Sequence, residues 1–394
     1  MKCLFTSPEF DAQFLRILSY IHTNGADLCE CYQTAKNIHD GDIDSWYQEW
    51  KSLGDKVYSD AILSEREGNH ISSKEAYFRA SNYFLTSIQF LKTTQNESRL
   101  LNAYNLHSES FKKGIHLSKR LYKEWELPYE GTTLPVRLWK CNKEGPAPVL
   151  IVNQGYDGTE QSSYLALGKA CMERDIHLVT FDGPGQGSPL FYDQLPMPND
   201  WSFIISSIID QLVQLKEVDA DKISILGLGW GGMLASQACA KESRIQALIT
   251  HPGQWDALQC IEKFIPEIHQ KIALDESASI NTLFGQAMTN KMISLKFKSR
   301  MLAHGVESPF SLVKKWQEYH LEHLIENITC KTLVIDAVSD PLQEGQAARF
   351  FDSLSCNKKF ISLKEANGIR TSYETGASPS LQRILFDWLQ NPNS

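Results

Sequence analysis

The chain has 394 residues, 42% hydrophobic and 22% charged, enough for one large domain with a smaller companion and ordinary for a globular protein. A formal charge of −8, with no lysine or arginine cluster to offset it, argues against nucleic acid or an anionic membrane surface as the main partner. No stretch approaches the roughly 18 apolar residues of a membrane span, and the start lacks the apolar core of a signal peptide, so a cytoplasmic location is expected.

Nine cysteines, an odd number scattered along the chain, do not suggest a disulfide framework. Cys29 and Cys31 form the one close pair, too little for a metal site. No cofactor and no metal are expected.

Residues from about 8 to 117 are expected to be helical, because apolar and aromatic positions recur every three or four residues through Trp46, Trp50, Leu53, Val57, Tyr58 and Ala61. A second run begins at a capping-box pattern, Ser72-Ser73-Lys74-Glu75, and continues through Tyr77, Tyr83 and Leu91. This gives an all-helical domain over 1–116, expected to serve as an accessory or homodimerisation domain.

Beyond Gly114 the period changes to two. Leu117–Trp125 and Leu134–Trp139 flank Glu130-Gly131-Thr132-Thr133 and predict a hairpin. Strands then alternate with helical stretches: Val149–Asn153, His177–Phe181, Ile223–Leu226, Ala247–Thr250, Thr332–Ile335 and Phe360–Leu363. Alternation of this kind predicts an α/β domain over 117–394, a mostly parallel sheet with helices on both faces. The long helical stretch at about 255–328, placed between two strands, predicts a cap. No internal repeat or low-complexity tract is present.

Ligands of such sheets sit outside the carboxyl ends of the strands, so the turns there carry the candidates. Asn153–Thr159 places Gly155 beside Tyr156, where backbone N–H groups can face an anionic oxygen. Asp182–Gly187 makes a glycine-rich turn, and His251-Pro252-Gly253 ends another strand. The segment Ile223–Gly232 has the strand-turn-helix pattern of a G-x-S-x-G nucleophile elbow, with Gly229 where the serine belongs.

Phe181–Gly187, the elbow and the Asn153–Thr159 turn together resemble the α/β-hydrolase fold. The chain more narrowly resembles the branch with an N-terminal helical domain that holds the 2,6-dihydropseudooxynicotine hydrolases and the hydrolases that shorten polyketide chains. Gly68–Ala80 is similar to that branch's helical domain. The resemblance implies a serine at the elbow, an aspartate after a late strand and a histidine after the last strand. The aspartate position falls on Asp340. The nucleophile position falls on Gly229 and the histidine position near Ser372, with no histidine after His323. Loss of both residues points to a natural departure and not to a single substitution.

With the usual strand order, His251 and Tyr156 flank the vacant nucleophile position. His251 is a candidate general base or acid, or a histidine that only bonds backbone. Tyr156 is a candidate oxyanion donor, or a cover for the pocket. Asp182 serves catalysis or accepts bonds within its own turn. Asp340 orients another group, acts as a base, or is a relic. Gly155, Gly229, Trp230, Ser372 and Tyr373 are expected to line the substrate site. His304, His320 and His323 fall in the cap stretch and make no metal site.

A glycine elbow suits reactions that need an oxyanion cavity and a proton acceptor but no acyl-enzyme: elimination, retro-Claisen cleavage or cyclisation through an enolate. The resemblance implies a lyase that tailors a polyketide-like small molecule or a carrier-bound acyl substrate. Hydrolysis by directly activated water, and a dead enzyme kept as a small-molecule binder or scaffold, are the alternatives.

Overall fold

The computed structural model of the chain describes residues 4–93, 97–262, 265–337, 343–363 and 376–391. They divide into two compact units, a helical one made chiefly of residues up to Leu121 with 161–169 added, and a sheet-centred one made chiefly of the remainder.

The helical unit holds α1 (Pro8–Leu18), α2 (Leu28–Asn37), α3 (Ile43–Arg66), α4 (His70–Ser87) and α5 (Ser98–Ser118). Ser7 and Asp27 cap α1 and α2 through their side chains, satisfying amide donors that helix ends leave open. The Ser72 capping box does not begin α4. That helix starts two residues earlier, at His70, and Ser73 instead donates its hydroxyl to the Ala61 carbonyl of α3 at 2.8 Å. Close helix approach explains two glycines: a β-carbon on Gly54 would lie 2.7 Å from the Phe84 ring, and one on Gly114 2.6 Å from Phe78.

The sheet unit contains β1 (Tyr122–Tyr129), β2 (Thr132–Trp139), β3 (Ala147–Asn153), β4 (His177–Phe181), α7 (Gly187–Phe191), α8 (Ser202–Leu212), β5 (Val218–Leu228), α9 (Gly231–Cys239) and β6 (Ile245–His251), while α6 (Glu160–Met172), between β3 and β4 in the chain, gives its residues 161–169 to the helical unit. Between β6 and β7 (Lys331–Ala337) lie α10 (Gln259–Glu262), α11 (Ile268–Ala273), α12 (Ser277–Ala287), α13 (Lys291–Ala303) and α14 (Pro309–Trp316), the stretch read as a cap. α15 (Gln346–Ser353), β8 (Lys358–Leu363) and α16 (Pro379–Gln390) complete the order.

The hairpin begins at Tyr122 and not at Leu117, because α5 runs to Ser118 and is stopped by Lys119 in the left-handed region, φ +52°. Its strands pair in register from Tyr122–Trp139 to Tyr129–Thr132. The eight-stranded sheet has the order β1-β2-β4-β3-β5-β6-β7-β8, antiparallel through β1-β2-β4 and parallel from β4 to β8. The residues of β4 are all buried and those of β3 nearly so, as strands covered on both faces must be. Trp201 and the isoleucines 204, 205, 208 and 209 of α8 join one buried apolar cluster with Met233, Leu234 and Ala235 of α9.

Replacing Gly54 by Ala should lower stability by about 1–3 kcal/mol through overpacking against Phe84, outweighing the gain of roughly 1 kcal/mol in helix propensity. Urea unfolding of the full chain measures it; an unchanged or raised midpoint would contradict so tight an approach of α3 and α4.

Candidate active site

β5 lies between β3 and β6, so the ends of these three strands build the centre of the site. Asn153 pairs with Gly227 across one edge of β5, and Leu228 pairs with His251 across the other. The chain then turns at Gly229, φ +59°, and enters α9. The Gly229 amide donates to the His251 carbonyl at 2.8 Å, and Gly232 N–H closes the turn on the Gly229 carbonyl at 3.0 Å. A β-carbon at Gly229 would meet nothing within 4 Å, so the space above the elbow is open.

The turn after β3 presses against this elbow. A β-carbon on Gly155 would lie 2.7 Å from the Trp230 nitrogen and 3.1 Å from the Leu228 carbonyl oxygen. Only glycine permits that approach, which brings the backbone around Tyr156 and Trp230 together. Gln186 holds the turn from the other side, donating its side-chain amide to the carbonyls of Gln154 (2.5 Å) and Gly155 (3.2 Å). Among the described residues, neither the Tyr156 N–H nor the Trp230 N–H donates to a protein acceptor. Two amide donors without a partner among the described residues thus lie at adjoining turns beside the elbow.

Tyr156 is fixed by three residues of the cap stretch. Its hydroxyl lies 2.7 Å from His304 Nε2 and 3.2 Å from Trp316 Nε1. Indole N–H can only donate, so the phenol accepts from Trp316, while the direction of its bond with His304 Nε2 follows the imidazole tautomer. Burial, followed by the cations of Arg300 and Lys315, holds the His304 imidazole down to about 3. Its other nitrogen, Nδ1, is buried with no partner. Burial raises the Tyr156 phenol above its ordinary value, with Arg300 and the Trp316 hydrogen bond pulling the other way.

The Arg300 guanidinium stacks 4.2 Å from the centre of the Tyr156 ring and forms a forked pair with Asp157, at 3.2 and 2.9 Å. Trp230 adds an aromatic wall, with ring centres 5.2 Å from Tyr156 and 5.1 Å from Tyr319.

His251 ends β6, 2% exposed, with both ring nitrogens lacking a partner among the described residues. Burial alone lowers it to about 4 and leaves a neutral imidazole with unused lone pair and N–H. Asp182 is fully buried, and its Oδ1 accepts the Glu160 amide at 2.7 Å, at the start of α6. Gly155, Tyr156, Gly229 and Trp230 thus meet at one place, with the Asp182 carboxylate engaged in the turn beneath. Asp340, Ser372 and Tyr373 lie outside the described residues.

Sequence reasoning placed His304 in the cap and gave it no role, and it passed over Arg300, Trp316 and Tyr319. The four-residue spacing of Arg300 and His304 was visible, but nothing in the chain linked either to Tyr156, 148 positions before His304.

An elbow after the fifth strand of a mostly parallel eight-stranded sheet, against the turn after the third, defines the α/β-hydrolase fold. A family model described as esterase FrsA-like matches residues 12–280, and the chain belongs to that family. It is 29% identical, over 99% of its own length and 98% of the relative's, to 20-hydroxy-prefusarin hydrolase FUS2 of Gibberella moniliformis. Hydrolase LUC6 of a Fusarium species is likewise 29% identical, over 99% and 97%. Hydrolyase poxO of Penicillium oxalicum is 24% identical, over 90% and 89%. Among solved structures, 2,6-dihydroxy-pseudo-oxynicotine hydrolase superposes with a TM-score of 0.75 at 19% identity, covering 94% of each chain.

Among the described residues, no three His, Cys, Asp or Glu side chains are placed to hold a metal ion, and no helix is long and apolar enough to cross a membrane.

His251, His304 and His107 of α5, which burial also lowers to about 4, are neutral when folded and charge once released. The unfolded chain then binds more protons below about 6.5, so stability is full above that pH and falls as pH drops toward 4. Each histidine contributes up to about 1.4 kcal/mol per pH unit across that window. Urea midpoints at pH 7, 6 and 5 should decline steeply, and a flat profile would contradict three buried neutral imidazoles.

Proposed function

We propose that the chain is a tailoring enzyme for polyketide-like carbonyl compounds, free or carrier-bound, in which an enolate forms on two backbone amides and no acyl-enzyme intervenes. The observation that carries this reading is the open elbow at Gly229 beside the unpaired N–H groups of Tyr156 and Trp230. A glycine cannot attack a carbonyl. An amide pair aimed at a developing oxyanion still stabilises it, by about 3–4 kcal/mol per donor in acyl-transfer enzymes.

In the elimination proposed, a neutral imidazole removes the proton between carbonyl and leaving group. The C–H electron pair becomes the enolate, whose oxygen rests on the Tyr156 and Trp230 amides. Collapse of the enolate forms the carbon–carbon double bond, and a carboxylate departs with its own bonding pair. His251 supplies the base, since its nitrogens are free and burial keeps it neutral. Tyr156, its hydroxyl backed by His304, offers a further donor to the oxygen. Asp340, three residues beyond β7, is the candidate carboxylate for orienting the base, with Ser372 and Tyr373 as candidate lining.

A second reading, hydrolysis by water that His251 activates directly, is favoured by relatives that are named hydrolases, such as 20-hydroxy-prefusarin hydrolase. The acetate ester of a β-hydroxy-β-phenyl ketone, offered in water enriched in heavy oxygen, separates the two. Elimination yields the ultraviolet-absorbing enone and unlabelled acetate, whereas hydrolysis yields the β-hydroxy ketone and labelled acetate. His251→Ala and Tyr156→Phe should each lower kcat by about 10²–10⁴-fold while the fold is kept. Full turnover in both variants would overturn the site.

A fluorophosphonate probe should leave the native protein unlabelled. Labelling at any serine would overturn a mechanism without an acyl-enzyme.

A further inference from the structure

We infer that Arg300 is a positioning residue: from the cap helix α13 it holds the turn after β3 in its oxyanion-binding form, so that this form exists only while α13 is docked. The inference rests on the reading of that turn as the oxyanion site.

Arg300 and the helix-capping His304 are four residues apart, one turn of helix, and therefore share a face. Both reach the same tyrosine. The guanidinium covers the Tyr156 ring at 4.2 Å, while the His304 imidazole meets the ring edge-on at 5.6 Å between centres and takes up its hydroxyl at 2.7 Å. The guanidinium also bonds both oxygens of Asp157, the residue directly after Tyr156. One arginine thus grips two consecutive residues of the turn whose preceding residue, Gly155, lies against the elbow backbone.

This is unlike a solvated surface pair. The Arg300 side chain is 15% exposed and Asp157 29%, the pairing is forked, and the cation is stacked as well as bonded. Forked geometry and stacking are what separate pairs that fix a backbone from those that contribute nothing measurable. The charge has a chemical consequence too. A cation over the phenol favours any negative charge on Tyr156 and disfavours a proton on His304. The other charged or titratable groups around this pair are Asp157, Lys315 and the Tyr319 phenol.

The test compares the full-length wild type with Arg300→Gln, Arg300→Lys and Asp157→Asn. Amide hydrogen exchange is read on the peptide spanning 154–159, and turnover on the same β-acetoxy-β-phenyl ketone. Arg300→Gln and Asp157→Asn should speed exchange in that peptide about tenfold, leaving the β3–β6 strands at wild-type protection. Arg300→Gln should lower kcat about 10²-fold with KM nearly unchanged, because a displaced donor costs transition-state stabilisation and not binding. Arg300→Lys, which keeps the charge but not the fork, should recover part of both.

Wild-type exchange in Arg300→Gln and Asp157→Asn overturns the positioning role. Faster exchange with unchanged turnover leaves the positioning role standing and overturns the reading of the turn as the oxyanion site. If Arg300→Gln loosens the strands as well, Asp157→Asn and Arg300→Lys carry the decision, and exchange decides it even where the ketone is not turned over.

Discussion

The site depends on one close approach of backbone to backbone. The turn after β3 can lie on the elbow after β5 only because residue 155 has no side chain, and a methyl group there would reach the Trp230 nitrogen. Two amide donors from turns after neighbouring strands then adjoin one another, with no acceptor of their own among the described residues. The same proximity explains the glycines on the far side of the elbow. A β-carbon at Gly232 would lie 2.5 Å from the Pro252 carbonyl, and at Gly227 and Gly231 the neighbouring backbone is equally near. The elbow keeps its packing although its side chain is gone, because the packing belongs to the backbone and not to the nucleophile.

Around that centre, burial determines which groups are charged. His251 and His304 sit in surroundings too apolar for an imidazolium, and the cations of Arg300 and Lys315 add to the effect at His304. A neutral imidazole is both a proton acceptor and a group that tolerates desolvation, so the environment that destabilises its charged form also keeps it ready as a base. The Arg300 charge is paired with Asp157 and spread over an aromatic face.

Much of the architecture was legible in the chain because period and burial are coupled. His177–Phe181 is a strand with the expected bounds, since a five-residue apolar run between turn signals has no other way to bury itself in this context. The other parallel strands run one to five residues further at one or both ends than their apolar centres, as at Val218–Leu228, where polar residues lie in the first half of the strand. The helix α4 begins at His70, ahead of its capping pattern, and Ser73 within it bonds to the Ala61 carbonyl of α3. The hairpin began later because α5 continued until a left-handed residue stopped it.

Sequence alone determined that the elbow carries glycine, that no histidine follows position 323, and that Gly155, Tyr156 and Trp230 stand at strand ends where ligands of such sheets bind. Each of these is a matter of residue identity and local period, which the chain states directly. Only the tertiary structure decided that the Tyr156 hydroxyl bonds to His304, that Arg300 lies across its ring, and that the Asp182 carboxylate accepts the first amide of α6. Those pairings join residues separated by 22 to 148 positions, and the two at Tyr156 follow from how the segment between β6 and β7 packs on the strand ends. No periodicity encodes that packing, because many apolar faces of similar width could have met there, and side-chain shape selected one.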